Sequence, residues 1–202
     1  MTPPIPALVL ASASPRRREL LALLGLPFTV DPDDGEEILP ATTADPQALT
    51  LRLARQKALA VAGRHPRALV LGADTVVVLG ERVLGKPADA AEAGEMLRRL
   101  SGRRHCVVTG VALVDTRQAP TVVTEAAWVT EVCVRALAEA EIAAYVATGE
   151  PLDKAGAYAI QGRGAVLIEG IRGDYSNVVG LPVGATADLL QAAGVEILGR
   201  SG

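Results

Sequence analysis

The sequence predicts an α/β protein. Apolar runs that read as strands alternate along the chain with segments carrying helix start and stop signals. One run, residues 69–78, is apolar almost throughout, the pattern of a strand buried on both faces. Half of the 202 residues are hydrophobic but only 2% are aromatic, so the core has to be built from Val, Leu, Ile and Ala. Neither an internal repeat nor a linker-like stretch interrupts the chain, which reads as one domain over residues 1–202.

In chain order, residues 5–11 form a first strand. Ser14-Pro15 opens a helix, with Ser14 as N-cap and Pro15 at the first helical position. Leu20, Leu21, Leu23 and Leu24 give that helix its apolar face, and Gly25 ends it. A short strand at 28–31 leads into an acidic, proline-containing loop reaching residue 45. Asp45-Pro46 starts a second helix that runs to about residue 62 and stops at Gly63. The strand at 69–78 turns through Gly80-Glu81 into a partner at 82–84. A third helix covers 88–100 and closes at Ser101-Gly102.

Strands follow at 107–114 and 121–134. Glu125, Glu131 and Arg135 break the apolar character of the second, consistent with one wet face. A fourth helix spans 139–148. Beyond it Gly149, Gly156, Gly162, Gly164, Gly170, Gly173 and Gly180 crowd one stretch, a setting for turns and binding loops. Leu181-Pro182 begins the last helix, ending at Ala193, and residues 195–198 form a final strand.

Several functions are disfavoured by composition. A net charge of -3 gives no global attraction to polyanions, and one Phe, one Trp and three Tyr cannot furnish a stacking surface for single strands. Nucleic acid is therefore not an expected partner. Two cysteines, Cys106 and Cys133, are too few for a disulfide framework and share no metal-ligand spacing with His65 and His105. Residues 7–13 resemble a short signal-peptide core, but no basic segment precedes them and prolines fall within the first six residues. No apolar run approaches a membrane span of about 20 residues. The expectation is a soluble, cytoplasmic protein.

Residues 80–87 match the G-x-x-x-x-G-K pattern of a phosphate-binding loop. They end in Pro87 where such a loop needs Ser or Thr, and a strand occupies the place of the loop. That motif is rejected, although Lys86 can still meet phosphate from a turn.

Asp74 and Thr75 interrupt the apolar run. A buried carboxylate is costly unless paired, so Asp74 is either a cap at a strand end or a ligand or catalytic group on a rigid element. Arg16, Arg17 and Arg18 fall in the first turn of a helix, where the dipole is already positive. They form either a solvated cluster or, with the exposed N–H groups, an anion site suited to phosphate. Lys57 has the ordinary expectation of a lone helical lysine, which is to face solvent. Asp33, Asp34, Glu36 and Glu37 read as solvated charge, with one of them able to reach a metal.

Five segments together resemble the Maf family of nucleoside triphosphate pyrophosphatases. They are residues 11–21 (Ala-Ser-Ala-Ser-Pro-Arg-Arg-Arg-Glu-Leu-Leu), 72–77 around Asp74, 84–87 with Ser101-Gly102 and His105, 149–156 around Lys154, and 174–182 around Asn177. Each is weak alone. In family order over nearly the whole chain they are specific.

The resemblance implies a long mixed sheet flanked by helices, like that of inosine triphosphatases, with two lobes around a central cleft. It implies hydrolysis of a nucleoside triphosphate to the monophosphate and pyrophosphate with a divalent cation, Mg2+ or Mn2+, and a homodimer. Asp74 matches the proton acceptor and a metal contact, and Glu37 a second metal or water contact by register. Arg16, Thr75 and Gln161 match positions associated with substrate choice. Ser12, Arg16, Arg17, Lys57, Lys86 and Lys154 would surround the phosphates.

Asp153-Lys154-Ala155-Gly156 and Gln161-Gly162 look like the subgroup acting on dTTP and UTP. A 7-methyl-GTP enzyme would replace Lys154 and Gln161. The departures are Ala159, where Gly is common, and Asp174, where Ser is common. They bear on base preference, so another or modified nucleotide stays open as substrate. The family's link to inhibition of septum formation gives an alternative, a nucleotide-binding regulator of cell division. The intact Asp74, Lys86 and Lys154 set favours catalysis.

Overall fold

The computed structural model describes residues 6–33, 35, 39–119 and 121–199. Among these, one seven-stranded mixed sheet organises the chain in the order β2-β1-β3-β5-β6-β7, with β4 attached to β3. The strands are β1 (Ala7–Leu10), β2 (Thr29–Val30), β3 (Ala68–Leu79), β4 (Arg82–Leu84), β5 (Arg104–Asp115), β6 (Val122–Val134) and β7 (Ile168–Arg172). The helices are α1 (Pro15–Ala22), α2 (Pro46–Ala62), α3 (Ala90–Leu100), α4 (Glu139–Val146), α5 (Tyr175–Val179) and α6 (Val183–Ala192). Three short 3₁₀ segments lie between α4 and β7. The α/β expectation with a long mixed sheet holds.

Capping works as the sequence predicts. Ser14 accepts a hydrogen bond from the Arg17 amide, and Asp45 accepts one from Ala48 at 2.9 Å. Gly80 takes φ +62° at the turn between β3 and β4, a conformation that an L side chain adopts with strain. Two elements in the glycine-rich stretch, β7 and α5, were not expected. The predicted strand at 195–198 is corrected: among the described residues the segment forms no strand, Ile197 making only a single bridge, and Val195 and Ile197 plug the core beneath α6. Gly194 at φ +83° and Leu198 at φ +53° both leave the extended region, so too few residues remain between them to build a strand.

The two faces of β3 are covered differently. α2 packs on one face, through Leu49, Leu53, Ala54, Ala58 and Val61 against Val70, Val76, Val78 and Val108. Its backbone comes very close. A Cβ on Gly72 would lie 2.3 Å from the Ala54 carbonyl oxygen, and one on Gly110 would lie 2.4 Å from the Thr50 carbonyl carbon. Two apolar clusters cover the opposite face. One joins Leu10, Leu69 and Leu71 to α1 and α6; the other joins Val77, Val107 and Val132 to α3 and α4.

Candidate active site

The site lies where β3 is left open. β1 pairs with β3 only over residues 68–71, and β4 only over residues 77–79. On that side of β3, residues 72–76 have no strand neighbour among the described residues, although β5 pairs continuously on the other side. β1 ends here in the parallel part of the sheet, and the chain turns into α1. Crevices at the carboxyl ends of such strands are where open α/β sheets bind ligands. A cleft of about 680 Å³ occupies this opening, a volume suited to a small-molecule substrate.

Successive residues of a strand point to opposite faces, so Asp74 and Thr75 serve different walls. Asp74 is 2% exposed and forms an ion pair with Lys57 of α2. It sits inside the strand, which removes the reading as a strand-end cap. Lys57 does not face open solvent as a lone helical lysine would. The close approach at Gly72 brings α2 near enough for its ammonium to meet a buried carboxylate, which would otherwise carry a large desolvation cost.

Thr75 faces the other way, into a polar seam between the two apolar clusters. Its hydroxyl shares a 2.9 Å hydrogen bond with Thr109 and accepts one from Arg17 Nη2 at 3.1 Å. Thr109 donates to the Asn177 carbonyl at 3.2 Å, and the Asn177 side chain donates to Val107 O and to Thr130.

The arginines of α1 diverge. Arg17 donates to the Gly180 carbonyl through Nε at 2.9 Å, to Ser12 through Nη1 at 3.3 Å and to Thr75. These bonds tie the start of α1 to α5 and β3, so Arg17 serves the walls of the cleft as well as lining it. Arg16 reaches across toward Asp153, 3.6 Å away. Asp153 also pairs with Lys154, whose ammonium lies 3.4 Å from the Glu150 carbonyl. Burial pushes the Asp153 carboxyl up, but the hydrogen bond from Lys154 and the charges of Lys154 and Arg16 hold it below its ordinary value. Lys86 is exposed at the rim, Gln161 is exposed on the wall beyond Tyr158, and Ser12 is buried at the floor.

Ser12, Arg16, Arg17, Lys57, Asp74, Thr75, Lys86, Lys154 and Gln161 thus all line one cleft. Glu37 lies outside the described residues. Among the described residues the lining carries five cationic side chains, Arg16, Arg17, Lys57, Lys86 and Lys154, against the carboxylates Asp33, Asp74 and Asp153. An excess of cations beside a helix N-terminus favours a polyanionic guest.

No group of three carboxylate, His or Cys side chains forms a metal cage among the described residues. Asp74 and Asp33 both line the cleft, and one or two carboxylates are the protein ligands Mg2+ takes when substrate phosphates complete its shell.

Thr109 and Tyr158 escaped the sequence reading. A threonine in a strand centre reads as an ordinary strand former, and nothing in the chain marks that it meets Thr75. Tyr158 lines the cleft and shares a 2.7 Å hydrogen bond with His105, itself 3% exposed. Burial lowers the His105 pKa to about 4, so this imidazole is neutral at pH 7. No helix among the described residues is long and apolar enough to cross a membrane.

A family model described as Maf-like protein matches residues 7–193. A dTTP/UTP pyrophosphatase from Moorella thermoacetica is 58% identical over 193 residues, covering 96% of this chain and 98% of the relative. Another dTTP/UTP pyrophosphatase, from Myxococcus xanthus, is 55% identical over 194 residues, 96% of each chain. A solved nucleoside-triphosphatase/dITP/XTP pyrophosphatase from Mycobacterium abscessus overlaps 93% of this chain and 98% of its own, with TM-score 0.41 and 18% identity. A family match that begins in β1 and runs through α6, joined to relatives more than half identical over nearly their full length, places the chain in the Maf family.

Proposed function

We propose that the protein hydrolyses dTTP and UTP to the monophosphate and pyrophosphate. The observation that carries this is the buried Asp74–Lys57 pair on the open stretch of β3, in a cleft whose described walls carry more cations than carboxylates. The extensive identity to enzymes named dTTP/UTP pyrophosphatase supports the choice of reaction.

The reaction needs a water in line with the α-phosphorus, neutralised triphosphate charge and a stabilised leaving group. In our reading Asp74 orients that water and accepts its proton. The water oxygen bonds to the α-phosphorus as the bridging bond to the β-phosphate breaks, and the electron pair leaves on pyrophosphate. Asp74 stands on a central strand fixed by β5, so its position does not depend on a loop. Arg16, Lys86 and Lys154 reach the cleft from α1, the turn after β4 and the 3₁₀ region, and so can meet the triphosphate from different sides. Entry of substrate phosphates gives Lys57 and the Asp153-bound cations stronger anionic partners than single carboxylates.

A divalent cation would supply further charge neutralisation beside the triphosphate, and Asp74 would hold it, with Asp33 lining the same cleft. Gln161 offers a donor and an acceptor to a pyrimidine edge whose N3–H lies between two carbonyls. Pyrophosphate release from dTTP, UTP, CTP, GTP, ATP and 7-methyl-GTP tests the reading. Selective turnover of dTTP and UTP is expected, and turnover restricted to another nucleotide overturns the assigned specificity.

A further inference from the structure

The segment 159–164, which carries Gln161, is pinned from outside the cleft. The Ala159 amide donates to the Tyr145 hydroxyl at 3.2 Å, and that hydroxyl donates to Glu150 Oε1 at 2.9 Å. Glu150 also accepts from the Gly164 amide at 2.9 Å and the Arg163 amide at 3.0 Å. One phenol and one carboxylate therefore hold both ends of a six-residue segment.

Packing locks the same arrangement. A Cβ on Gly164 would lie 2.4 Å from the Ala159 carbonyl oxygen and 2.5 Å from the Tyr145 hydroxyl. Gly162, at φ +77°, would place one 2.7 Å from Glu150 Oε2. The segment closes on itself, and Ala159, Ile160 and Gln161 line the cleft. Tyr145 is 6% exposed, with its ring in the cluster of α3 and α4. Burial and the Glu150 carboxylate raise the phenol well above its ordinary pKa, which keeps it a donor. Burial pushes the Glu150 carboxyl up, and the two backbone amides and the phenol outweigh it.

We infer that Tyr145 and Glu150 form a clamp that sets the position of Gln161 and thereby the discrimination between uracil-type and cytosine bases. Neither side chain lines the cleft, so both are positioning residues. This rests on the reading of Gln161 as the base-contacting group. Cytosine presents an amino group and a bare N3 where thymine and uracil present a carbonyl and N3–H, so a displaced amide loses the distinction.

The test is the ratio of kcat/KM for UTP to that for CTP, which differ only in the base, in Tyr145→Phe, Glu150→Gln and Gln161→Ala, alone and combined. A misplacement of about 1 Å can cost roughly 100-fold, so Tyr145→Phe and Glu150→Gln are each expected to lower the ratio by about 10-fold to 100-fold. The effect belongs mainly in KM, since Asp74 is untouched. Adding Tyr145→Phe to Gln161→Ala is expected to lower the ratio less than twofold further, because the clamp acts through the amide already removed. Amide hydrogen exchange at residues 159–164 should quicken in both clamp variants and reports the clamp independently of turnover. A ratio lowered by Gln161→Ala but unchanged in both clamp variants overturns the clamp alone. An unchanged ratio in Gln161→Ala overturns the base-reading role, and the clamp's part in specificity with it.

Discussion

Gly72→Ala tests whether the close seating of α2 on β3 builds the site. The added Cβ would meet the Ala54 carbonyl oxygen at 2.3 Å, the Ala58 nitrogen at 2.8 Å and the Ala58 Cβ at 2.9 Å. All three belong to α2, and two of them are rigid backbone. Ordinary contact begins near 3.4 Å, so the helix has to retreat from the strand by about 1 Å. Overpacking of this kind costs typically 1–3 kcal/mol, which for a chain of this size lowers the melting temperature by roughly 2–12 °C. Lys57 precedes Ala58 in the displaced helix and Asp74 follows two residues after the substitution, so their pairing shifts with it. A 1 Å error in such a group can reduce turnover about 100-fold.

The assay pairs thermal unfolding with pyrophosphate release from dTTP, with Gly63→Ala as control. Gly63 ends the same helix at φ -61°, and nothing lies within 4 Å of its added Cβ. The control should stay within about 0.5 kcal/mol of the parent. A Gly72→Ala protein that melts and turns over like the control would refute the argument that the glycine contact positions the Asp74–Lys57 pair.

Two further predictions concern buried ionisable groups. Lys57→Met removes the ammonium beside Asp74, and breaking such a buried pair typically costs about 3–5 kcal/mol; the partial exposure of Lys57 places the expectation at the lower end. Lys57→Met combined with Asp74→Asn should recover part of that loss in thermal unfolding, and additive losses would contradict the pairing. His105 has its pKa lowered from 6.5 to about 4 by burial. The unfolded chain therefore binds the extra proton first as pH falls. The stability owed to the neutral ring is fully present above pH 6.5 and is lost as pH falls toward about 4. Denaturant unfolding at several pH values should show a slope in that window that His105→Gln diminishes; an unchanged slope would contradict it.

Much of the fold was legible because local chemistry and tertiary context agree. Ser14-Pro15 and Asp45-Pro46 begin α1 and α2 where capping requires, and the apolar run around Asp74 is a central strand. The cations brought together were also legible, through the family resemblance of the segments that carry them. What local pattern could not reveal is pairing. Nothing along the sequence states that β1 stops pairing at Leu71 and β4 starts at Val77, and that gap opens the cleft. The fit of Gly72 against Ala54 is likewise a long-range contact, and it turns Lys57 from a surface lysine into the partner of Asp74. β7 was missed because Ile168–Arg172 is a largely exposed edge strand with a glycine at its centre, so its composition reads as loop. The segment at 195–198 alternates like a strand, but its apolar residues serve the core under α6.

The most direct measurement is pyrophosphate release from dTTP and UTP, with Mg2+ or Mn2+, by the parent chain and by Asp74→Asn. The substitution keeps the size of the side chain and removes the carboxylate meant to accept the water's proton. The expected result is turnover of both nucleotides by the parent and a loss of about 100-fold or more in the variant, the scale on which general-base groups contribute. The fold should be preserved, as judged by an unchanged circular dichroism spectrum. Hydrolysis by Asp74→Asn at the parental rate would contradict the assignment of Asp74, and a parent chain that binds dTTP without releasing pyrophosphate would contradict the proposed reaction.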